Sequence, residues 1–228
     1  MSSHPKLIIF DNDGVVVDSE ALIKEALKSA MATYGVELSI SWAISNLQGR
    51  KPLDVFQTII NHYNVPFNIE EAIEVYIAEA ARLFQLSLKP MAHIKTVLQN
   101  LQEAKIAFCI ATGGGLPQTY NKMALTGLEE FFPKEHIFSS SQVEHGKPAP
   151  DLFLFAAQNM GFKPEDCIVI EDSHLGIQGA KAANMRAIGF TGGSHAALLE
   201  DDYPALLKNA GAEAVIDDHS NLTKLLLP

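Results

Sequence analysis

The chain carries LIIFDNDG at residues 7–14, an apolar run that ends in two carboxylates and a glycine. The run predicts a short buried strand, with Asp11 and Asp13 at the point where it ends. Gly14 follows and permits a tight or left-handed turn. Ligands bind at the carboxyl ends of strands in open α/β sheets, so this turn is a candidate site. Crowded carboxylates need a cation, a shared proton or water, and a hard divalent ion such as Mg²⁺ is the natural partner.

Short apolar runs of the same kind recur along the chain and alternate with segments of helical periodicity. This alternation is typical of a parallel sheet that is covered by helices on both faces. The fold class is therefore predicted to be α/β. The predicted strands are Lys6–Phe10, Ala107–Ala111, His136–Ser139, Cys167–Ile170, Arg186–Phe190 and Ala214–Ile216.

The segment between the first two predicted strands breaks the alternation. Residues 20–86 contain no clear buried strand and instead repeat apolar residues at helical spacing. We therefore predict a helical block inserted into the sheet domain. The predicted core comprises residues 1–17 and 88–228, and the predicted insertion comprises residues 18–87.

Composition excludes several classes of function. The chain has 228 residues, 47% of them hydrophobic, and a net charge of −10, which disfavours nonspecific nucleic-acid binding because such binding relies on clustered Lys and Arg. No apolar run approaches the roughly 20 residues of a membrane helix. The first residues lack the apolar core of a signal peptide, so a cytoplasmic protein is expected. Cys109 and Cys167 lie in predicted buried strands, where free thiols are common.

Three further motifs carry residues that suit phosphate chemistry. Thr112 ends a predicted strand before three glycines, where its hydroxyl and the main-chain N–H of Gly113 can donate to a phosphate oxygen. Lys147 stands between a glycine and prolines, and a lysine on so constrained a backbone can hold phosphate and neutralise an attacking carboxylate. Glu171 and Asp172 end another strand and are candidate metal ligands.

These residues can be assigned roles in a phosphoryl transfer. Asp11 is the candidate nucleophile, which forms an acyl phosphate and needs a metal to screen its charge from the substrate. Asp13 is the candidate general acid and base, which protonates the leaving alkoxide and then activates water. The main-chain N–H of Asn12 is a further candidate phosphate donor. Arg50, in the basic cluster at residues 49–52, is a candidate substrate contact, with an exposed loop charge as the alternative.

The four motifs, in this order, resemble those of the haloacid dehalogenase-like hydrolase superfamily, and the match covers nearly the whole chain. The inserted block looks like the cap of β-phosphoglucomutase-like and phosphoglycolate phosphatase-like members. The resemblance implies a Rossmann-like core, a mobile cap of four to five helices, Mg²⁺ and an aspartyl-phosphate on Asp11. It also implies metal ligation by Asp11, the Asp13 carbonyl and Asp172, with Glu171 binding directly or through water.

The resemblance also separates reaction types. Dehalogenases and phosphonatases of this superfamily lack the second aspartate, which is present here as Asp13. β-Phosphoglucomutases carry a cap histidine shortly after the first motif, whereas Ile23 stands at the matching count in this chain. These features favour a phosphatase over a mutase.

We therefore expect a Mg²⁺-dependent phosphatase that acts on a small phosphomonoester. A sugar phosphate or a sugar-acid phosphate such as 6-phosphogluconate is the expected substrate. A phosphosugar mutase is the alternative, and a module that only binds a phosphorylated ligand is the third hypothesis. The expected partner is a small phosphorylated metabolite, with neither nucleic acid nor membrane, and the expected state is a monomer or weak homodimer.

Overall fold

The computed structural model describes residues 5–47, 52–195 and 202–226. The chain divides into two compact units. The first, here called the core unit, comprises Met1–Asp18 and Lys89–Pro228, and the second, here called the helical unit, comprises Ser19–Leu88.

The core unit is built on a parallel six-stranded sheet in the order β3-β2-β1-β4-β5-β6. Every predicted strand is present, so the predicted α/β class with a parallel Rossmann-like sheet is confirmed. The strands are β1 Leu7–Phe10, β2 Ala107–Thr112, β3 Ile137–Ser139, β4 Cys167–Glu171, β5 Arg186–Phe190 and β6 Ala214–Ile216.

Strand β1 lies between β2 and β4, and all four of its side chains are fully buried. Phe10, its last residue, pairs with Ile110 on one side and Ile170 on the other. Because these strands are parallel and in register, the residues that follow them emerge at the same edge of the sheet. The topology therefore brings residues 11–13 beside the ends of β2 and β4.

The helical unit contains four helices in its described residues. They are α1 Glu20–Ala32, α2 Ile40–Leu47, α3 Pro52–Tyr63 and α4 Ile69–Ser87. Their apolar faces form one cluster that includes Met31, Phe56 and Ile59. Asn68 caps α4, since its side-chain oxygen accepts from the N–H groups of Glu70 and Glu71.

Six described α-helices belong to the core unit. They are α5 Ile94–Glu103, α6 Leu116–Thr126, α7 Asp151–Met160, α8 His174–Ala182, α9 Tyr203–Asn209 and α10 Ser220–Leu226. Gly14 has φ +81°, the left-handed conformation that its sequence position suggested, and Asn184 at the end of α8 has φ +57°. In the described ranges, no helix is both long and apolar enough to span a membrane.

The chain leaves and re-enters the core unit at adjacent points. Val17 and Pro90 form an antiparallel bridge, and the N–H of Asp18 donates to the carbonyl of Lys89 at 3.0 Å. The N–H of Met91 donates to the carbonyl of Val16 at 2.9 Å. These bonds join the two ends of the helical insertion within the core unit itself.

Candidate active site

Asp11 begins the turn after β1 and is almost fully buried. Its N–H donates to the carbonyl of Ile170 at 2.9 Å, which ties the turn to the end of β4. A Cβ at Gly14 would lie 2.1 Å from Oδ2 of Asp172, so a side chain there would displace that carboxylate. The positive φ and the close approach together account for glycine at this position.

Lys147 connects the two acidic strand ends. Its Nζ lies 2.6 Å from Oδ1 of Asp11, 2.5 Å from Oε1 of Glu171 and 3.1 Å from the carbonyl oxygen of Ala111. Its side chain is only 12% exposed, so this lysine is not a solvated surface charge. Burial opposes its charge, but Asp11 and Glu171 together raise the pKa of its ammonium.

Glu171 is fully buried, and both of its carboxylate oxygens have protein partners. Oε1 accepts from Lys147, while Oε2 accepts from the N–H and the hydroxyl of Ser173 at 2.9 and 2.8 Å. The Ser173 hydroxyl in turn accepts from the N–H of Gly176 and caps α8. A Cβ at Gly176 would lie 1.9 Å from the Glu171 carboxylate, so this helical glycine makes room for the acid.

Asp11, Glu171 and Asp172 form an acidic cluster in which one oxygen of each residue lies within 4.8 Å of the others. Burial raises the pKa of Asp11 to about 7; Lys147 opposes the rise, whereas Glu171 and Asp13 add to it. When all three carboxylates are ionised, Lys147 compensates one negative charge and a divalent cation would compensate the other two. A hard cation with oxygen ligands therefore fits the donor set.

A second group of polar residues forms at the end of β2. The N–H of Gly114 donates to Oγ1 of Thr112 at 3.0 Å, and the buried Ser139 hydroxyl donates to the carbonyl of Gly114 at 2.6 Å. A Cβ at Gly114 would lie 3.4 Å from Oγ1 of Thr112 and 3.7 Å from Oδ2 of Asp13. A Cβ at Gly113 would meet no atom within 4 Å. The Thr112 loop and Asp13 are therefore neighbours.

Asn12 and Arg50 are the two remaining predicted substrate contacts. The Asn12 side chain is fully buried, and its amide has no hydrogen-bond partner in the described part of the chain. Its main-chain oxygen accepts from the N–H groups of Val16 and Val17 at 2.9 and 3.0 Å, which closes the turn. The role predicted for Asn12 thus rests on its main-chain N–H, while Arg50 lies outside the described residues.

Lys122 was not identified from the sequence, although it is buried against Asp13. The Lys122 ammonium pairs with Oδ1 of Asp13, although the two residues are 109 positions apart in the chain. Thr119, Lys122, Met123 and Thr126 are the buried residues of α6. Their spacing marks the inner face of a helix, and a lysine on that face was the signal available in the sequence.

Asp172 is also held by residues that the sequence did not single out. Nε2 of the buried His195 lies 3.3 Å from its Oδ2, and the Tyr203 hydroxyl donates to its main-chain oxygen at 2.7 Å. His195 lies two residues after Gly193 in the loop beyond β5, and a Cβ at Gly193 would lie 2.6 Å from its Nδ1. His195 therefore contacts the carboxylate of Asp172, and Tyr203 holds its main chain.

Comparison with known proteins connects this geometry to phosphoester chemistry. The family model of haloacid dehalogenase-like hydrolases matches residues 8–190. The chain is 31% identical over 182 residues to a fructose-1-phosphate phosphatase of Escherichia coli, covering 79% of this chain and 94% of that protein. It is 27% identical to the 6-phosphogluconate phosphatase of the same organism, with coverages of 85% and 86%. It is also similar to a solved hydrolase of Deinococcus radiodurans with bound phosphate and sodium, at a TM-score of 0.81, 28% identity and 99% coverage of both chains.

Proposed function

We propose that this chain, which belongs to the haloacid dehalogenase-like hydrolase family, is a Mg²⁺-dependent phosphatase of small phosphomonoesters. The observation that carries the proposal is the bridge that Lys147 makes between Asp11 and Glu171 beside Asp172. We further propose that the helical unit is the cap domain of this enzyme and that the core unit is its catalytic domain.

Asp11 is the nucleophile in this proposal. One of its carboxylate oxygens forms a bond to phosphorus while the bond between phosphorus and the ester oxygen breaks. Lys147 offsets the negative charge that accumulates as the substrate phosphate approaches. Thr112 and the glycine loop after it offer a hydroxyl and N–H donors to the phosphate oxygens.

Asp13 moves the protons. It gives a proton to the departing ester oxygen, which receives the electron pair of the broken bond. A water molecule then attacks phosphorus and gives its proton to Asp13, while the bond from phosphorus to Asp11 breaks and its electron pair returns to the carboxylate. The enzyme is regenerated, and the products are an alcohol and inorganic phosphate.

The proposed metal site uses the acidic cluster. Asp11, the main-chain carbonyl of Asp13, and Asp172 would hold Mg²⁺, with Glu171 as a further member of the site. When bound, the ion screens the negative charge of the nucleophile from that of the substrate. In the protein itself, Glu171 and Asp11 hold Lys147 between them, and His195 and Tyr203 hold Asp172.

The proposed substrates are sugar phosphates and sugar-acid phosphates. Support comes from the similar E. coli proteins, which are named for fructose 1-phosphate and 6-phosphogluconate. Both compounds are small, polyhydroxylated monoesters whose leaving oxygen is an alkoxide, and such a leaving group requires the proton that Asp13 supplies.

Phosphate release from a panel of sugar and sugar-acid phosphates tests the proposal. The panel is run with Mg²⁺ and with a chelator, using the wild type, Asp11→Asn and the control Asp54→Asn, which alters an exposed residue of α3. We expect release that requires Mg²⁺, vanishes in Asp11→Asn and survives in Asp54→Asn. Full turnover by Asp11→Asn would refute the role of Asp11 as the nucleophile. Transfer of phosphate from one carbon of the sugar to another, without release of inorganic phosphate, would indicate a mutase.

A further inference from the structure

A buried lysine of the core unit has no role in the reaction described so far. Lys122 projects from the inner face of α6, and its side chain is only 6% exposed. Burying an ammonium is costly unless it is paired, and its partner here is Oδ1 of Asp13. Asp13 is the residue assigned to proton transfer, so the pairing places a fixed positive group directly on the proposed acid and base.

The two oxygens of Asp13 lie in different surroundings. Oδ1 is held by Lys122, whereas Oδ2 faces Gly114, where an added Cβ would meet both Oδ2 and the Thr112 hydroxyl at 3.7 and 3.4 Å. Thr112 and the loop after it are the proposed phosphate donors. Lys122 thus contacts Asp13 at Oδ1, and Oδ2 is the oxygen on the side of the phosphate loop.

Helix α6 also follows the phosphate loop directly. Gly115 precedes its first residue, and the Thr119 hydroxyl donates to the carbonyl of Gly115 at 3.0 Å. Thr126 then donates its hydroxyl to the carbonyl of Lys122 at 2.7 Å, on the same buried face. One helix therefore carries both the loop at its N-terminus and the ammonium that holds Asp13, and it fixes the distance between them.

We propose that Lys122 is a positioning residue that holds Oδ1 of Asp13, so that Oδ2 is aimed at the phosphate loop for proton transfer. This inference rests on the proposed function. It assigns to Lys122 a role distinct from that of Lys147, which contacts the nucleophile. Without Lys122, Asp13 remains in the chain but loses its fixed orientation.

The test uses two substrates that differ in their need for a proton. The p-nitrophenolate group leaves without protonation, whereas the alkoxide of a sugar phosphate requires it. With p-nitrophenyl phosphate, Lys122→Met should still transfer phosphate to Asp11 but should lose about 100-fold in kcat, because water attack needs Asp13 as a base. We expect a burst of one equivalent of p-nitrophenolate in rapid-quench experiments, and a phosphorylated enzyme detectable by mass spectrometry. With the sugar phosphate, both steps are slowed and no burst is expected.

Controls separate positioning from folding. Lys122→Arg, which keeps a cation on α6, should recover most of the activity. Lys6→Met should leave both reactions unchanged, because it breaks only an exposed pair with Asp166 at 3.2 Å. Equal loss on both substrates without a burst, or no loss at all, would overturn the inference while leaving the phosphatase in place. An inactive wild type would overturn the proposed function and the inference with it.

A crystal structure of the wild type covers the case in which Lys122→Met does not fold. In that structure the Lys122 ammonium must contact Asp13. An ammonium turned away from Asp13 would contradict the inference without any variant.

Discussion

The core unit and the helical unit bury different kinds of side chain. Among the described residues, Ser19 is the one buried polar residue of the helical unit, at its first position. The helical unit otherwise packs aliphatic and aromatic groups against one another. The buried polar or charged residues of the core unit are Asp11, Asn12, Thr112, Thr119, Lys122, Thr126, Ser139, Glu171, Asp172, His195 and His219.

This difference separates two uses of a protein interior. In the helical unit, burial of apolar surface stabilises the fold and carries no chemistry. In the core unit, the six-stranded sheet supplies enough apolar packing to tolerate charged groups at one edge, where each must be paired to offset the cost of desolvation. Four substitutions test this contrast, from the largest expected effect to the smallest.

Phe56→Ala should destabilise the helical unit by about 3–5 kcal/mol, because it leaves a cavity in the apolar cluster. Phe56 is 1% exposed, and its ring lies edge-on to those of Phe67 and Tyr76. Urea denaturation followed by the fluorescence of Trp42, the single tryptophan of the chain, reports on this unit. Leu53→Ala is the control, because Leu53 is 59% exposed. Equal effects of the two substitutions would contradict the proposed origin of stability.

His219 should make the stability of the core unit depend on pH. Burial against Phe190 lowers its pKa to about 4, and its Nε2 lies 2.7 Å from the carbonyl oxygen of Val15. The unfolded chain binds a proton at His219 with a pKa of about 6.5, whereas the folded protein resists that proton until the pH approaches 4. The neutral histidine therefore contributes its full stabilisation to the folded protein above pH of about 6.5, and the contribution is lost as the pH falls towards 4. The contribution of His219 that is lost from the free energy of unfolding amounts to about 3 kcal/mol.

The measurement for His219 is the free energy of unfolding, obtained by circular dichroism at pH 7 and pH 4.5. His219→Gln should be less stable than the wild type at pH 7, and the gap should narrow at the lower pH. His145→Gln, at an exposed position of the same unit, should leave the pH dependence of the wild type unchanged. A gap that stays constant with pH would show that His219 does not titrate as proposed.

Gly176→Ala should lower kcat by about 100-fold, since a displaced Glu171 would also release Lys147. Helix propensity alone favours alanine over glycine by about 1 kcal/mol. The expected loss of kcat is therefore caused by the displaced Glu171 and not by a weaker α8. The matched control is Gly35→Ala in the helical unit, where φ is +73° and an added Cβ meets no atom within 4 Å. That variant should lose about 1 kcal/mol of stability and keep its activity. A fully active Gly176→Ala enzyme would contradict the role of this glycine.

Asn12→Leu should raise stability by about 1 kcal/mol, because it removes a buried amide without a hydrogen-bond partner in the described residues. Asn68→Leu in the helical unit should act in the opposite direction and cost about 1 kcal/mol, since it removes the cap of α4. Thermal denaturation of both variants provides the comparison. A destabilised Asn12→Leu protein would show that the amide is satisfied in solution.

The sheet and the strand-end acids were predictable because each carries a local signal. Asp11 follows an unbroken apolar run, Thr112 precedes three glycines, and Lys147 lies between a glycine and prolines. Such patterns restrict the backbone within a few residues, and parallel topology then places the strand ends together. The helices of the insertion were predictable for the same reason, from their apolar periodicity.

Lys122 and His195 were not predicted, because their roles depend on contacts between distant parts of the chain. In the sequence, Lys122 is an ordinary helical lysine, and only its neighbours Thr119 and Met123 indicate that its face is buried. His195 ends the stretch Gly-Gly-Ser-His, a pattern shared by many loops. Gly176 carries no signal in the sequence either, because its role is to leave the space that the Glu171 carboxylate occupies.

The bridge between Val17 and Pro90 has a consequence for how this chain is assembled from its parts. Because Asp18 and Lys89 are hydrogen-bonded neighbours, the whole helical segment has the position of the connecting loop in a hairpin. The free-energy cost of closing such a loop is entropic and rises only slowly, by about 0.6 kcal/mol for each doubling of the loop length. Insertions of very different size can therefore be exchanged between these two residues with little effect on the stability of the sheet.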